Sequence, residues 1–554
     1  MKKLLLSALA LTLATLTNAQ SNFITVWTST TAITSIQYQQ FSSPAINYTW
    51  TAMPSGNTGA SMTPSGLSGM VTIPVTCPAN NTITLQMAPT NLSSFKMINS
   101  PSKPDLIEIK QWGSAQWITM EFAFAGCINL NVTATDIPNL SNVFNMERMF
   151  ASCHKLNGPV NINSWNTSNV TNMAGVFSNC LLFNQNVSSW NTSNVTNFFG
   201  VFEYCFAFNQ PLNNWVTTNG TNFRSMFSYA TLFNQPLTNF STSNATNMGY
   251  MFSGATNFNQ SLNTFNTTNV TDMSYMFSEA TNFNQPLSAF NTNSVTNLNN
   301  MFYKATNFNQ PLNTWSTNNV TDMTGMFVDA VNFNQSLSNW NTSNVTSMQS
   351  MFSGARSFNQ NIGNWDVSNV NDLGAMFYFD SNNPGNFNQN IGSWTFKNGA
   401  NLNFMLYYCG MDCDNYSSTL IGWNSNTLTP NGLSMTFDDL SYGTNAVSAR
   451  ANLIGAKSWT ITGDVAGSSD CSLTTGITSN ELKSQFNVYP NPAQNFITIR
   501  SSISLNKITV TDVLGKTVLS LSTNDDDARI DFSTLNGGVY FITTNGITKK
   551  IIKE

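Results

Sequence analysis

The stretch Val270-Thr271-Asp272-Met273-Ser274-Tyr275-Met276-Phe277-Ser278-Glu279-Ala280, continued by Thr281-Asn282-Phe283-Asn284-Gln285-Pro286-Leu287, decides how this chain is read. Its first eleven residues are apolar at i, i+3, i+6, i+7 and i+10, the spacing of one face of a short helix. From Phe283 to Leu287 apolar residues fall at the ends of a brief extended segment, although Pro286 has no N–H to give to a ladder. The expectation for one unit is therefore a short helix followed by a short strand. Asn269, ahead of Val270, would cap the helix.

The same pattern recurs up and down the chain. Phe-Asn-Gln begins at Phe183, Phe208, Phe233, Phe258, Phe283, Phe308, Phe333 and Phe358, always 25 residues apart, and again at Phe387 after an insertion at Ser381–Gly385. An apolar residue followed by Phe marks each unit from Phe150 to Phe377, and Trp or Phe closes it at 165, 190, 215, 240, 265, 290, 315, 340, 365 and 394. About twelve units result. One unit cannot bury its own aromatics, but stacked units share a continuous apolar spine. The fold class expected is a repeat solenoid, with the Asn after each Phe forming a hydrogen-bonded ladder. The closing Trp/Phe column is expected to be buried. Variable pairs such as Arg224-Ser225, Gly249-Tyr250 and Asn299-Asn300 are expected to face solvent.

These units resemble the 25- to 26-residue, leucine-rich-repeat-like repeats of BspA-like bacterial surface proteins. Trp165 to Met173 and Met251 to Ala255 carry the match, with Gln111–Ser114 and Asn415–Trp423 fitting the family's two ends. The resemblance covers 106–465. It implies surface display and, in some members, adhesion; it supplies no binding residues.

The ends differ from the array. Lys2 and Lys3, the apolar run Leu4–Leu16 and the small residues before Ala19 and Gln20 read as a signal peptide over 1–19, cleaved between Ala19 and Gln20. No later stretch approaches the ~20 apolar residues of a membrane span. Residues 20–105 alternate β-branched and polar residues, as in Val71–Val75, and are expected to form an N-terminal β cap domain. After a linker at 466–480, residues 481–554 carry more charge and several short strand patterns. They resemble the C-terminal sorting domain of the type IX secretion system of Bacteroidetes, on Tyr489-Pro490-Asn491-Pro492, Gly515 within Asp512–Lys516, Gly538, Tyr540 and the closing run around Lys550. That resemblance implies an immunoglobulin-like β-sandwich, a partner in the type IX secretion machinery, and a final location outside the cell or on the outer-membrane surface.

Chemistry is sparse. Only 8% of residues are charged and the net charge is −5, so a nucleic-acid phosphate backbone finds no basic footprint. Cys127, Cys153, Cys180 and Cys205 occupy one repeat position, which fits small buried core residues better than a metal site; Cys409 and Cys413 stand close enough in sequence to bridge. The lone histidine, His154, neighbours Cys153, but adjacent residues rarely present both side chains to one substrate. Asp272 and Asp322 share a repeat position and are read as solvated residues at helix starts, not as a catalytic pair. Asp366, Asp372 and Asp380 gather in sequence near the insertion, but they lack the defined loop of a calcium cage. We therefore expect no enzyme, no cofactor and no metal. The reading that follows is an adhesin-like surface scaffold contacting a protein or glycan. The alternative is a carbohydrate-binding protein that stacks sugars on exposed aromatics, and burial of the Trp column would remove its platform.

Overall fold

In the coil that holds Val270–Ala280 the chain folds back on itself at almost every third residue. Amide N–H groups of Phe265, Val270, Met276, Ser278, Ala280 and Phe283 each donate to the carbonyl three residues earlier. Between these turns, Met273, Tyr275, Phe277 and Glu279 donate to Asn297, Asn299, Met301 and Tyr303 of the next coil. Neighbouring N–H groups thus alternate between closing a local turn and joining two coils. This is the computed structural model of the chain; it describes residues 21–41, 44–66, 69–471, 486–501, 505, 507–513, 516–523, 525, 527–544 and 547–554.

The helix-plus-strand unit expected from the sequence is overturned. Residues 270–280 form no helix, and residues 283–287 form no strand. The physical reason is the backbone at two positions per coil: Tyr275 and Glu279 have φ of 56° and 58°, in the left-handed region. An α-helix cannot pass through a left-handed residue every fourth position. The same two columns hold Tyr250, Asn300 and Ser350, and Tyr229, Lys304 and Asp329, with Gly175, Gly200 and Gly325, and Gly254 and Gly354, taking the same backbone where no side chain is placed. Asp272, expected at a helix start, instead accepts the Ser274 N–H in a tight Asx turn, 2.9 Å, and Asp322 does the same for Thr324. Asn269 does not cap a helix either; its amide donates to the Ser243 carbonyl one coil back, 3.0 Å.

Stacking holds the coils. Single parallel bridges link Asn145, Asn172, Asn197 and so on through Asp372 to Asn401, one residue per coil. The rings of Phe252, Phe277 and Phe302 stack 5.8 Å apart, and each lies about 4 Å from a second column, Phe258, Phe283 and Phe308. Each fully buried Phe contributes about 1.5–3 kcal/mol, which offsets the cost of about 1–2 kcal/mol for each left-handed non-glycine residue. The expected Asn ladder is present: Asn259 Oδ1 accepts from the Asn284 N–H at 3.0 Å and from Gln285 Nε2 at 3.1 Å, and Asn284 does the same for the following coil.

Both ends of the stack are joined to sheet or helix. Strands β1 (Phe23–Thr28), β2 (Ile33–Gln40), β3 (Asn47–Met53), β4 (Thr58–Met62), β5 (Gly69–Cys77), β6 (Thr82–Met87), β7 (Leu106–Gln111) and β8 (Asn131–Val132) precede the coils. The main sheet runs β4-β3-β6-β1-β7-β8, while β2 pairs with β5. The parallel β7–β8 pair passes the sheet into the coils, so the N-terminal core and the repeat core are continuous. After Asn401 come α1 (Cys413–Ser425), β9 (Ser434–Thr436), β10 (Ser441–Tyr442), α2 (Val447–Gly455), β11 (Thr460–Thr462) and β12 (Val465–Ala466). Asp412 caps α1 by accepting the Asn415 N–H. Between α1 and α2, the fully buried Asp464 carboxylate is held by Arg450 at 2.6 and 2.7 Å and by the Tyr416 hydroxyl at 2.8 Å.

The chain divides into two compact units, Met1–Ser468 and Ser469–Glu554. In the second, β13 (Phe486–Tyr489), β14 (Phe496–Ser501) and β17 (Asp527–Asp531) form one sheet. β15 (Lys507–Thr511), β16 (Thr517–Ser522), β18 (Gly538–Thr544) and β19 (Ile547–Lys553) form another, in the order β16-β15-β18-β19. Ile497 and Ile499 from the first sheet share one buried cluster with Val510 and Ile542 from the second.

Candidate contact surface

The left-handed columns turn side chains onto one face of the stack, and there the sequence departs most from its own repeat. Tyr204 and Tyr229 stack at 4.9 Å in one column, and Tyr250 and Tyr275 at 4.4 Å in the other. Small residues in the same register, Ser225 and Gly254, leave space between them. The result is an open groove of about 640 Å³ walled by these tyrosines and Tyr303, floored by Ser228, Ser253 and Ser278, with Glu203 and Glu279 in its lining.

Its charges are arranged before any partner arrives. The Arg224 guanidinium lies 4.5 Å over the Tyr250 ring and 3.4 Å from Asp272. Burial pushes the Glu203 carboxyl above the usual carboxylate range, against the opposing pull of the Ser178 hydroxyl hydrogen bond (3.1 Å) and of Arg148 and Arg224. Burial likewise raises the Tyr229 phenol, with Glu279 adding to it. The ring faces are already occupied: Tyr229 lies between Tyr204 and Gly254, and Tyr250 between Arg224 and Tyr275. Further along the stack, in the register of Ser253 and Ser278, Tyr378 and Tyr407 stack at 5.3 Å. The Tyr408 hydroxyl donates to Asp438 at 2.6 Å, and this bond pushes its phenol up to about 12.

Of the variable pairs expected to face solvent, Arg224, Ser225, Tyr250 and Asn300 line the groove, while Gly249 and Asn299 do not. Arg224, Tyr250, Asn299 and Asn300 are half-buried, Ser225 and Gly249 buried. The closing Trp column is buried as expected, with Trp190 only 1% exposed, and from Trp190 on its indoles donate backwards, Trp340 Nε1 to the Leu312 carbonyl at 3.1 Å. That column offers sugars no platform.

Other residues singled out in the sequence scatter. Cys153 is buried and donates to the Phe124 carbonyl, while His154 Nε2 meets the Asn179 amide at 3.1 Å, so the two do not face one site. Cys127, Cys180 and Cys205 are buried free thiols like Cys153. Cys409 is also a free thiol, whereas Cys413 is disulfide-bonded, so the two do not bridge. Asp366, Asp372 and Asp380 each cap a separate turn, at Ser368, Gly374 and Asn382. Among the described residues no three His, Cys, Asp or Glu side chains gather as a metal site.

In the second unit, Asn491 ties its turn to β19, donating to the Lys550 carbonyl (3.0 Å) and accepting from the Ile552 N–H (2.9 Å). Gly538 pairs with Lys553, and the Tyr540 hydroxyl donates to the Asn536 carbonyl at 2.9 Å. Tyr489 is largely exposed, and Pro490 and Pro492 lie in the exposed turn that follows it. Gly515, Ala19 and Gln20 lie outside the described residues.

Coils made of turns, stacked through one backbone bridge per repeat and faced on one side with tyrosine, define a turn-built repeat protein. The chain belongs to the family described as Mycoplasma protein of unknown function, DUF285, whose model matches 102–161, 118–240, 158–262, 221–336 and 310–423, more than half of the sequence. Residues 487–554 match the secretion system C-terminal sorting domain, which supports export by type IX secretion to the cell surface or the extracellular space. No curated protein and no solved structure matches the chain. No described helix is long and apolar enough to cross a membrane.

Proposed function

We propose that this chain is a surface contact protein, an adhesin-like scaffold of the BspA-like kind, which binds a protein partner through the tyrosine groove and performs no catalysis. The observation that carries this reading is the groove's composition. Tyr204, Tyr229, Tyr250, Tyr275 and Tyr303 are joined by Ser225, Ser228, Ser253, Ser278 and Asn300, with Arg224, Glu203 and Glu279 among them. Tyr, Ser, Gly and Asn with an occasional Arg is the composition of protein-recognising loops, where rigid aromatic area costs little entropy on binding. Export to the cell surface or the extracellular space supports this reading, since such a partner would be met there.

The reading is favoured over sugar stacking because stacking needs free ring faces. Here Tyr229 is covered by Tyr204 and Gly254, and Tyr250 by Arg224 and Tyr275. What these two rings leave to a ligand is phenol edges and hydroxyls.

The test is adhesion of cells displaying the full chain or its Tyr229→Ser, Tyr275→Ser double variant. Serine already stands in both columns, at Ser152 and Ser225, so the coil tolerates it. Display equal to wild type with at least tenfold weaker attachment to protein-coated surfaces is the expected result. Unchanged attachment, or attachment abolished by soluble neutral oligosaccharide, would count against it.

A further inference from the structure

The four sheet edges of the second unit are not alike. An edge strand presents a row of unpaired N–H and C=O groups, and proteins commonly block it with charge, proline or a covering contact. β19 carries Lys549, Lys550 and Lys553, and its end also bridges Ala493. β17 carries Asp527, Arg529 and Asp531. β13 runs directly into Pro490, and Lys549 Nζ donates to the Phe486 carbonyl.

Among the described residues β16 itself shows none of these devices, although Lys516 directly precedes it. It reads Thr517-Val518-Leu519-Ser520-Leu521-Ser522, without charge or proline, and it ends its sheet, pairing only with β15. Ser520, Leu521 and Ser522 are exposed. Beside it lies a groove of about 210 Å³, lined by Ile508, Val510, Leu519, Leu521 and Ile530 together with Ser520 and, from β17, Arg529 and Asp531. The flank therefore couples an open backbone ladder to a mostly apolar slot, with Arg529 and Asp531 on its β17 side.

We infer that β16 is a strand acceptor: an extended, uncharged segment of the type IX export machinery pairs along it and seats alternate side chains in the Ile508–Leu521–Ile530 groove. Only a polypeptide strand can fill the alternating donors and acceptors of a sheet edge; a glycan or a helix cannot. The three charged or covered edges leave this one as the route, and the sorting-domain match supplies the partner. The inference rests on that match and is independent of the tyrosine groove.

The experiment is export of the full chain in the native bacterium, comparing wild type, Ser520→Lys, Ser520→Thr and a chain lacking 487–554. Ser520→Lys puts a charge on the edge without removing an apolar contact, so the unit keeps its fold, checked by its melting curve after purification. The expected result is periplasmic retention of Ser520→Lys, with surface signal down at least tenfold, while Ser520→Thr is exported normally. Wild-type export of a folded Ser520→Lys chain overturns the inference. So does a purified wild-type dimer that Ser520→Lys dissociates without loss of export, since the occupant is then a second copy. If the chain lacking 487–554 is still exported, the sorting assignment itself fails, which separates the two.

Discussion

The ring of Tyr229 lies across Gly254 of the next coil: a methyl group built on Gly254 would stand 2.5 Å from Tyr229 Cδ1. Gly254 also has φ of 67°, so it answers two demands at once, a left-handed backbone and room for the ring. Gly254→Ala is expected to lower stability by at least ~1 kcal/mol through the backbone alone, and to turn Tyr229 out of the groove wall. A thermal melt together with the near-ultraviolet tyrosine signal reads both effects; an unchanged signal would show that the seat does not hold the ring.

Trp340 Nε1 donates to the Leu312 carbonyl, but the same column holds Phe240, Phe265 and Phe290, which cannot donate. Trp340→Phe should therefore keep the coil and cost only about 0.5–1.5 kcal/mol, the net worth of one hydrogen bond. Denaturant midpoints measure it. A loss several times larger would mean that indole volume, not the bond, holds the column.

Asn259→Ala leaves the Asn284 N–H and Gln285 Nε2 without their shared acceptor. A fully buried group so orphaned costs about 1–3 kcal/mol, and these two half-buried groups are expected to cost less. Because each coil touches mainly its neighbours, the damage should stay local. Hydrogen exchange should quicken around Asn259 and Asn284 and stay unchanged near Phe358; a uniform rise along the array would contradict nearest-neighbour coupling.

Asp464 is fully buried under Arg450 and Tyr416, so neutralising it strands a guanidinium. Asp464→Asn should destabilise the first unit by about 3–5 kcal/mol. Urea unfolding followed by tryptophan fluorescence tests this through Trp423 and Trp459 nearby.

Burial raises the folded-state pKa of Glu203 above its unfolded value. The folded chain then holds the proton more tightly, so stability is highest below the ordinary carboxylate range. It falls as pH climbs from that range through the raised pKa and stays lowered above it. Glu203→Gln should remove this slope and melt higher than wild type at pH 7. Parallel melting curves for the two chains from pH 3 to 8 would refute the assignment.

Much of this was legible in the residues. The period of 25, the buried Trp column and the Asn ladder follow from apolar and amide residues recurring in register, and the structure has each of them. The helix was misread because a chain of three-residue turns places apolar side chains at the same i, i+3, i+7 spacing as a helix face. A signal lay in the glycines: Gly175, Gly200 and Gly325, and four residues further on Gly254 and Gly354, recur inside the supposed helix. Tyr275, Glu279 and Lys304 in the same columns disguised it, since such side chains seldom take a left-handed backbone. The groove was missed for a related reason. Tyr204 and Tyr250 look unrelated along the chain and meet only when their coils are stacked.

By itself the sequence determined that coils repeat every 25 residues and which side chains they bury, and that the character of the chain changes towards its C-terminal end. Those are matters of composition and period, which a single chain carries in its letters. The tertiary structure alone decided that the coil is built of turns and that its variable residues form one groove. An amide N–H can close a helix, close a turn or reach the next coil at similar energy, and only the neighbouring coil, with its carbonyls in place, selects among them.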